Sequence, residues 1–588
     1  MASVEQLVNT GRDCMRNRIF QTAEHFFRQA LKLSPRHAEI SLMLVDALQE
    51  QKKFDECLSL CRKVWESHRE QPEIYLKLGN IHASLHQWHD ALRVVESGLI
   101  RFPGNMGLCT LLGRLHHDTG NVRDAKACFQ RFASFERGKP LWNYRHLGTC
   151  PAIFAGDDQI DQYYHDLNLD LDMLLDSRIQ VDWRSFPQEG FCPSFHLPHH
   201  GRSCREVREK FGRYFQKLFP HDPPPLKKRR RIRVGFHVIH GHEGGFFRGT
   251  GGIMEQLDPE RFEVVVLCNR GVAKHCSQAV QRESMQIVTF DGSLEQITQT
   301  VRRADCDIIF YRKAGSDPVS YFFPFTRPAP IQATSYGTHG TSGIPAIQYF
   351  LSSSLVEQQE HQVHYTEQLY LMDDLPTYQK RNEMPTGVAR SEFGFPERGA
   401  LYFCPHRLPK YHPEFDGYLR EILDRDPNGH VLLLAGNELM QKQLLEKRLQ
   451  KKLGDTLMKR VFFIPKQPVS EFYRIFSLAT MILDSSVYAG GLTSYDTFLL
   501  GVPEVTLSGP LHVQNFASGI YRRMGLGDLP TTTREGYIDL AVRLGTDADY
   551  RRHVSQRILE ANHHIFEQPN VVREYEKFFE AMIQSYAG

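Results

Sequence analysis

Residues 483–507 decide the fold of the carboxy-terminal part of the chain, and they read Leu-Asp-Ser-Ser-Val-Tyr-Ala-Gly-Gly-Leu-Thr-Ser-Tyr-Asp-Thr-Phe-Leu-Leu-Gly-Val-Pro-Glu-Val-Thr-Leu. An apolar strand is predicted to end near Asp484, a loop with Gly490 and Gly491 follows, and a helix is predicted to begin at Thr493. The N–H groups and the positive end of the helix dipole would face an anion in front of that helix. Taken alone, the stretch is compatible with a phosphate site and with a plain turn.

The sequence around this stretch predicts an α/β fold. From residue 231 onward, short apolar runs alternate with helical patterns, which predicts parallel sheets with crossover helices. We expect six strands in a first half and five in a second, with the two halves joined near residues 375–395 and a cleft between them. Ligands of such sheets bind beyond the carboxyl ends of the strands, so the loops that follow the strands should hold the site.

Polar and glycine residues follow several of the predicted strands, and we expect them to meet at the cleft. Lys410 could neutralise a diphosphate that gains charge as a bond breaks, and Asp496 lies within reach of a sugar hydroxyl. The full set from the first half is His240, His242, His339, Gly340 and Thr341, and the set from the second half is His406, Arg407, Lys410, Gln467, Gly490, Gly491, Thr493 and Asp496.

The first quarter of the chain repeats with a period of 34 residues. The two repeated small positions are Gly11, Val45, Gly79 and Gly113, and Ala23, Cys57, Ala91 and Ala125. Small residues at two places per period let paired helices pack closely, so the pattern predicts four tetratricopeptide repeats over about residues 4–138. Such arrays usually bind peptides or proteins, and a solubilising or dimerising appendage is the alternative.

The composition is that of an ordinary globular protein. The 588 residues carry a net charge of +2, which gives no electrostatic case for a nucleic-acid or membrane-surface partner. The basic run Lys227–Arg231 could be a nuclear address or a nucleic-acid patch, and we prefer a charged lead-in to a strand. No apolar run approaches the ~20 residues of a membrane span. The start of the sequence lacks a secretory signal and the twelve cysteines lack a framework spacing, so we expect a cytoplasmic location.

Residues 139–225 offer two patterns that imitate metal sites. Asp170 and Asp172 resemble the paired aspartates of metal-dependent sugar transferases, but they alternate with leucines on a predicted helix. A loop also concentrates zinc-ligand residue types, although its spacing fits no standard finger and we favour a solvated loop. Its members are Cys192, His196, His199, His200 and Cys204. We therefore expect no metal site.

Several motifs resemble the O-linked N-acetylglucosaminyltransferase-like glycosyltransferases, which join tetratricopeptide repeats to a two-lobed GT-B catalytic region. Residues 327–332 read Arg-Pro-Ala-Pro-Ile-Gln as in that family, and residues 340–343 match its Gly-Thr-Ser-Gly. Residues 408–410 match the loop whose lysine holds the donor diphosphate, and residues 490–496 lie where the family has Gly-His-Thr-Thr-Gly-X-Asp. The likeness covers about residues 231–588 and the repeats.

The resemblance implies a metal-independent protein glycosyltransferase without a cofactor. It would move a sugar from a nucleotide-sugar donor, with UDP-GlcNAc or another UDP-hexose as first choice, to Ser or Thr of proteins recruited by the repeats. Lys410 with His240 or His242 would be catalytic, the other residues named after the second-half strands would bind the donor, and His339, Gly340 and Thr341 would form an acceptor-side loop. A homodimer is compatible with the repeats.

The sequence departs from the family at the phosphate loop, which leaves other functions open. Gly491-Leu492-Thr493 stands where the family has His-Thr-Thr, so one histidine is missing, and Lys466-Gln467-Pro468 replaces the usual base-reading turn. The alternatives are a repeat scaffold with a degenerate transferase region and a transferase that uses a GDP- or CMP-sugar on a bacterial surface protein such as flagellin. A nucleotide-sugar epimerase of the same fold would have no use for the repeats.

We expect five segments along the chain. Tetratricopeptide repeats occupy residues 1–138, a mixed helical and loop linker 139–225, an amino-terminal GT-B lobe 226–385 and a carboxy-terminal lobe 386–565. A last helix over 566–588 carries an apolar stripe of Val572, Tyr575, Phe579, Met582 and Tyr586, which should pack back across the lobes.

Overall fold

The computed structural model describes residues 3–16, 19–135, 140–186, 190–219, 222–385, 387–436 and 439–587. The chain forms two compact units, of which the first covers residues 1–151 and the second most of residues 152–588.

The first unit is an array of antiparallel helix pairs. Its helices are α1 (Val4–Arg16), α2 (Phe20–Leu33), α3 (Ala38–Glu50), α4 (Phe54–Ser67), α5 (Pro72–Ser84), α6 (Trp88–Arg101), α7 (Met106–Asp118) and α8 (Val122–Phe135). The glycines of the 34-residue period lie where the helices of a pair touch, since a Cβ added to Gly11 or Gly113 would lie 2.5 or 2.4 Å from the ring of Phe27 or Phe129. The predicted tetratricopeptide array is therefore confirmed.

The second unit begins with the linker helices and continues into a seven-stranded parallel sheet, the amino-terminal lobe. The helices are α9 (Asp157–Asp176), α10 (Arg205–Gln216), α11 (Glu243–Gln256), α12 (Ala273–Ala279), α13 (Leu294–Ala304) and α14 (Pro318–Phe322). The strands are β1 (Ile232–Val238), β2 (Phe262–Asn269), β3 (Gln286–Phe290), β4 (Ile308–Tyr311), β5 (Ile331–Ser335), β6 (Tyr349–Ser353) and β7 (Gln368–Met372). Among the described residues their order is β3-β2-β1-β4-β5-β6-β7. The sequence predicted six of them and missed β7, an edge strand that is only half buried and so lacks a continuous apolar run.

The carboxy-terminal lobe is a second parallel sheet with helices on its faces. Its strands are β8 (Leu401–Cys404), β9 (His430–Gly436), β10 (Val461–Pro465), β11 (Met481–Leu483) and β12 (Glu504–Val505), in the order β10-β9-β8-β11-β12 within the described part of the chain. Its helices are α15 (Phe415–Arg425), α16 (Leu439–Met458), α17 (Val469–Leu478), α18 (Leu492–Leu499), α19 (Phe516–Arg523), α20 (Arg534–Thr546) and α21 (Ala548–Ala561). The two doubly wound lobes confirm the predicted fold class.

The last helix, α22 (Pro569–Ala587), returns to the amino-terminal lobe. Val572, Tyr575, Phe579 and Met582 are buried in the core of that lobe, as the apolar stripe predicted, whereas Tyr586 is 40% exposed. Glu576 fixes the helix by accepting hydrogen bonds from the Asp258 backbone N–H and from Arg261. The carboxy-terminal end of the chain therefore stabilises the lobe that comes first in sequence.

Two other sequence patterns have structural roles. The basic run before β1 is paired with acidic side chains, since Arg229 contacts Asp305 and Asp307 and Arg231 contacts Glu263. These ion pairs support the interpretation of the run as a charged lead-in to β1. The loop of cysteines and histidines is not solvated as we expected, because three of its members are almost completely buried. These are His199, His200 and Cys204.

Candidate functional site

A cleft of about 440 Å³ lies where loops from the carboxyl ends of strands in both lobes meet. The amino-terminal lobe contributes the loops after β1, β4 and β5, and the carboxy-terminal lobe contributes the loops after β8 and β11. The residues that carry its chemistry are His242, Arg312, Lys313, His339, Lys410, Gly491 and Thr493, with Tyr336, Tyr488 and Phe516 as aromatic walls. No Asp or Glu side chain lines this cleft in the ranges that the structure describes.

Lys410 is held at the cleft by the loop after β8. Its carbonyl oxygen accepts a 2.7 Å hydrogen bond from the Ser485 hydroxyl, and its Nζ lies 4.0 Å from the centroid of the Tyr488 ring. Burial lowers the pKa of Lys410 to about 8; Asp484 opposes this shift, while Arg407 and Lys313 add to it. The charge of Asp484 therefore does not offset the burial of the ammonium group and the nearby cations, and an anion bound in the cleft would stabilise it.

The amino-terminal end of α18 faces the same cleft. Gly491 is its N-cap, and no side chain caps the helix. A Cβ on Gly491 would meet nothing within 4 Å, so its backbone borders open space. The positive end of the helix dipole therefore points at the volume that Lys410 borders.

A buried polar network supports this loop from below. The Gly490 N–H donates a 2.6 Å hydrogen bond to Asp484 Oδ1, and the Ser494 hydroxyl donates a 2.8 Å bond to Glu504 Oε1. Burial, followed by the nearby Asp484 charge, raises the pKa of Glu504 well above its ordinary value. Gly490 was expected to contact the donor, but its N–H is used by Asp484 and the residue does not line the cleft.

The other residues expected on the donor side lie outside the cleft lining. His406 is 2% exposed and accepts a 3.2 Å hydrogen bond from the Ser485 N–H through Nε2, so it fixes the β8 and β11 loops to each other. Arg407 is exposed, and Gln467 is half-buried in the loop after β10. These three residues do not line the cleft, and their contacts with the donor stay predictions.

Asp496 is engaged by the opposite lobe. Arg248 of α11 donates to both of its carboxylate oxygens, at 2.8 and 2.6 Å, and also to the Leu492 carbonyl oxygen at 2.9 Å. The Asp496 side chain is only 2% exposed, and burial raises its pKa. Binding a ribose hydroxyl through Asp496, as the sequence led us to expect, would require this ion pair to open.

Of the two histidines expected to be catalytic, only one reaches the cleft. His242 lines it and accepts a 3.4 Å contact from Lys313 Nζ at Nδ1, while burial lowers its pKa. His240 points away, with a 75% exposed side chain whose Nδ1 lies 3.3 Å from Glu243. While Lys313 donates to Nδ1, a neutral His242 carries its proton on Nε2 and can act there as a hydrogen-bond donor.

The expected acceptor-side loop contributes one side chain. His339 lines the cleft in the left-handed backbone region, with φ of 58°, and burial holds its pKa well below the ordinary value. Gly340 and Thr341 follow behind it, where the Thr341 hydroxyl donates a 2.5 Å hydrogen bond to Glu367. Arg208 of α10 holds the loop from the other side by donating to the Thr341 carbonyl oxygen at 2.5 Å.

Two cationic residues that follow β4 were not predicted from the sequence. Arg312 and Lys313 come directly after Tyr311, the last residue of that strand, and both line the cleft. Both were predictable, because ligands of parallel sheets bind beyond the carboxyl ends of the strands. Phe195 was also missed, because its loop was interpreted as solvated, yet its ring centroid lies 4.6 Å from Lys313 Nζ.

Two family models match parts of the chain. The model of glycosyl transferase family 41 matches residues 376–572, and a tetratricopeptide repeat model matches residues 18–81. These matches confirm the resemblance inferred from the sequence motifs, and the residues that the carboxy-terminal lobe contributes to the cleft lie within the stretch that is similar to glycosyl transferase family 41.

Curated relatives match this chain over part of their length. A probable UDP-N-acetylglucosamine–peptide N-acetylglucosaminyltransferase SPINDLY of Hordeum vulgare is 29% identical over 231 residues, which are 38% of this chain and 23% of the relative. The probable UDP-N-acetylglucosamine–peptide N-acetylglucosaminyltransferase SEC of Arabidopsis thaliana is 28% identical over 374 residues, which are 58% of this chain and 36% of the relative. The chain thus spans about a quarter to a third of these proteins.

A solved structure extends the likeness of fold to the whole chain. An O-GlcNAc transferase mutant of Thermobaculum terrenum aligns with 99% of this chain and 98% of its own, with a TM-score of 0.65 and 18% identity. At this level of identity the likeness concerns the fold, which supports the GT-B assignment of the two lobes.

The described residues offer neither a metal site nor a membrane span. They contain no group of three or more His, Cys, Asp or Glu side chains placed to hold a metal ion. In the same residues, no helix has the length and apolarity that crossing a bilayer requires.

Proposed function

We propose that the protein is a glycosyltransferase that moves a sugar from a nucleotide-sugar donor to Ser or Thr side chains of protein acceptors. The observation that carries this proposal is the meeting of Lys410 and the uncapped end of α18 in one cleft, which no Asp or Glu side chain of the described residues lines. The family 41 match over residues 376–572 supports it, and so do the names of both curated relatives. Those names make UDP-N-acetylglucosamine the first donor to test.

The chemistry of the cleft is electrostatic. The acceptor oxygen bonds to the anomeric carbon, the bond from that carbon to the diphosphate breaks, and its electron pair leaves with the diphosphate. Lys410, Thr493 and the α18 dipole stabilise the charge that develops there. His242 and His339 border the acceptor hydroxyl, whose proton is lost to a neutral imidazole or to water. These groups supply the positive charge that a metal would otherwise bring, so the proposed reaction needs neither a metal nor a cofactor.

The repeats recruit the acceptor in this proposal, since they are a separate compact unit of the kind that binds peptides. We place the protein in the cytoplasm, and its twelve cysteines, all within the described ranges, support this because none forms a disulfide.

A donor screen by mass spectrometry tests the proposal. The purified protein is incubated with UDP-N-acetylglucosamine, other UDP-hexoses, GDP-fucose or a CMP-sugar, with lysate proteins as acceptors. Transfer from one donor is expected, and Lys410→Ala should lower its rate about 100- to 1,000-fold. Lys459→Ala removes an exposed lysine of the same lobe and should leave the rate unchanged. Absence of transfer from every donor would favour a repeat scaffold with a degenerate transferase region.

A further inference from the structure

The amino-terminal lobe places two adjacent cations on the cleft wall. Arg312 and Lys313 follow β4 at its carboxyl end, and both side chains line the cleft that Lys410 borders from the other lobe. Lys313 Nζ lies 4.6 Å from the centroid of the Phe195 ring and 3.4 Å from His242 Nδ1. Neither contact supplies a negative charge.

The backbone near Arg312 leaves room for its guanidinium. A Cβ added at Gly249 of α11 would lie 2.6 Å from Arg312 Nη2 and 3.0 Å from its Cζ, so only glycine fits there without displacing Arg312. Gly337 lies close to the backbone of the same residue, since its Cβ would be 2.3 Å from the Arg312 carbonyl oxygen. The absence of a side chain at both glycines therefore leaves room for Arg312 at the cleft wall.

The positive charges of the two lobes repel each other across the cleft. Burial is the main cause that lowers the pKa of Lys313 to about 8; the charges of Arg312 and Arg407 lower it further, and the charge of Asp317 opposes the shift. Lys313 in turn lowers the pKa of Lys410. His339, between the loops, has its pKa lowered by burial and then by both lysines. Because Lys313 and Lys410 act on the same neighbour, one multiply charged anion between them would relieve the repulsion on both.

We propose that Lys313, supported by Arg312, is a second diphosphate-binding residue, so that the donor is held by an ammonium group from each lobe. The identification of the anion as the diphosphate of a nucleotide sugar rests on the proposed function, whereas the two-sided anion site rests on the two lysines that line one cleft from different lobes. When the bond from the anomeric carbon to the diphosphate breaks, its electron pair goes to the departing oxygen. Lys313 then stabilises the added charge opposite Lys410.

Calorimetric titration of the full chain with inorganic pyrophosphate and with UDP and GDP tests this site. Lys313→Gln is expected to weaken the binding of pyrophosphate and of the preferred nucleotide on the order of 10- to 100-fold, the usual effect of losing a hydrogen bond to a charged group. Lys313→Arg should restore most of the affinity, and Arg312→Gln should cause a smaller loss. The control Arg230→Gln removes an 84% exposed cation of the same lobe and should bind as the wild type does.

Unchanged pyrophosphate and nucleotide affinities in Lys313→Gln, alongside a loss in Lys410→Gln, would overturn the inference. If Lys313→Gln fails to fold, as judged by circular dichroism, Arg312→Gln decides instead, since a wild-type affinity in that variant would equally overturn the inference. A protein that binds pyrophosphate through Lys313 but transfers no sugar would refute the proposed function and leave the anion site standing. A wild-type protein that binds none of these anions would refute both.

Discussion

Lys410 is the side chain on which the proposed chemistry depends, and its surroundings explain why its charge destabilises the folded protein. Its ammonium group lies against the Tyr488 ring, and burial lowers its pKa to about 8. In an unfolded chain the pKa of lysine is about 10.4, so between these two pH values the unfolded state binds more protons. The contribution of this residue to the free energy of unfolding therefore rises with pH across that window. At pH 7, below both pKa values, the lysine is charged in both states and the whole cost of burying its charge remains.

Lys410→Met should accordingly abolish transfer and raise the thermal stability of the ligand-free protein. Methionine fills a similar volume without the charge, and we expect Tm at pH 7 to rise by about 1–3 °C. Differential scanning calorimetry without nucleotide measures this, with Lys459→Met as the exposed control. A fall in Tm larger than that of the control would show that Lys410 is structural.

Binding of UDP should weaken as the pH rises above about 8. An anion binds the protonated lysines, so above their pKa values Lys313 and Lys410 must first take up protons. The affinity is expected to fall up to tenfold per pH unit for each lysine, as measured by calorimetry between pH 6.5 and 9.5. Lys410→Arg should flatten the profile, because a guanidinium stays charged in this range. A wild-type affinity that does not change with pH would contradict the assignment of these lysines.

In the loop between β11 and α18, one of the two glycines supports the loop and does not line the cleft. Gly490 lies over the Asp484 and Glu504 network, whereas Gly491 borders open space. Both glycines were predicted to bind the phosphate, because a pattern of residue types does not reveal which glycine packs against buried carboxyl groups. The network below the loop joins residues that are distant in the loop sequence, and only the packed sheet brings them together.

Gly490→Ala should therefore destabilise the protein and weaken donor binding together. The new Cβ would lie 2.3 Å from Ser494 Oγ and 2.7 Å from Glu504 Oε1, so the loop must shift. We expect a loss of about 1–3 kcal/mol in the free energy of unfolding, measured by denaturant titration. Gly417→Ala in α15 is the matched control, since its nearest neighbours would be 3.7 Å away. Equal behaviour of the two variants would remove the packing role given to Gly490.

In the molecule as a whole, local patterns were predictable and contacts between lobes were not. The 34-residue period of Gly11, Gly79 and Gly113 identified the repeats, because each glycine faces a neighbour within its own repeat or the next. The pairing of Arg248 with Asp496 joins residues 248 positions apart, and it exists only because the two sheets face each other. No spacing in the sequence signals such a contact.

The Arg248–Asp496 ion pair should couple the stability of the two lobes. Arg248→Met leaves the buried Asp496 carboxylate without its guanidinium, and Asp496→Asn removes the charge that orients Arg248. Each change alone should lower Tm, and the double variant should lose less than the sum of the two. A double-mutant cycle in thermal unfolding is expected to give a coupling of about 0.5–3 kcal/mol. Strictly additive losses would mean that the pair contributes nothing across the cleft.

The central claim is that the cleft between the lobes holds the diphosphate of a nucleotide sugar. A crystal structure of the complex with UDP or GDP tests this most directly. Diphosphate oxygens are expected about 3 Å from Lys410 Nζ and from the first backbone nitrogens of α18, with Lys313 on the opposite side. A nucleotide bound elsewhere, with both ammonium groups facing solvent, would contradict it.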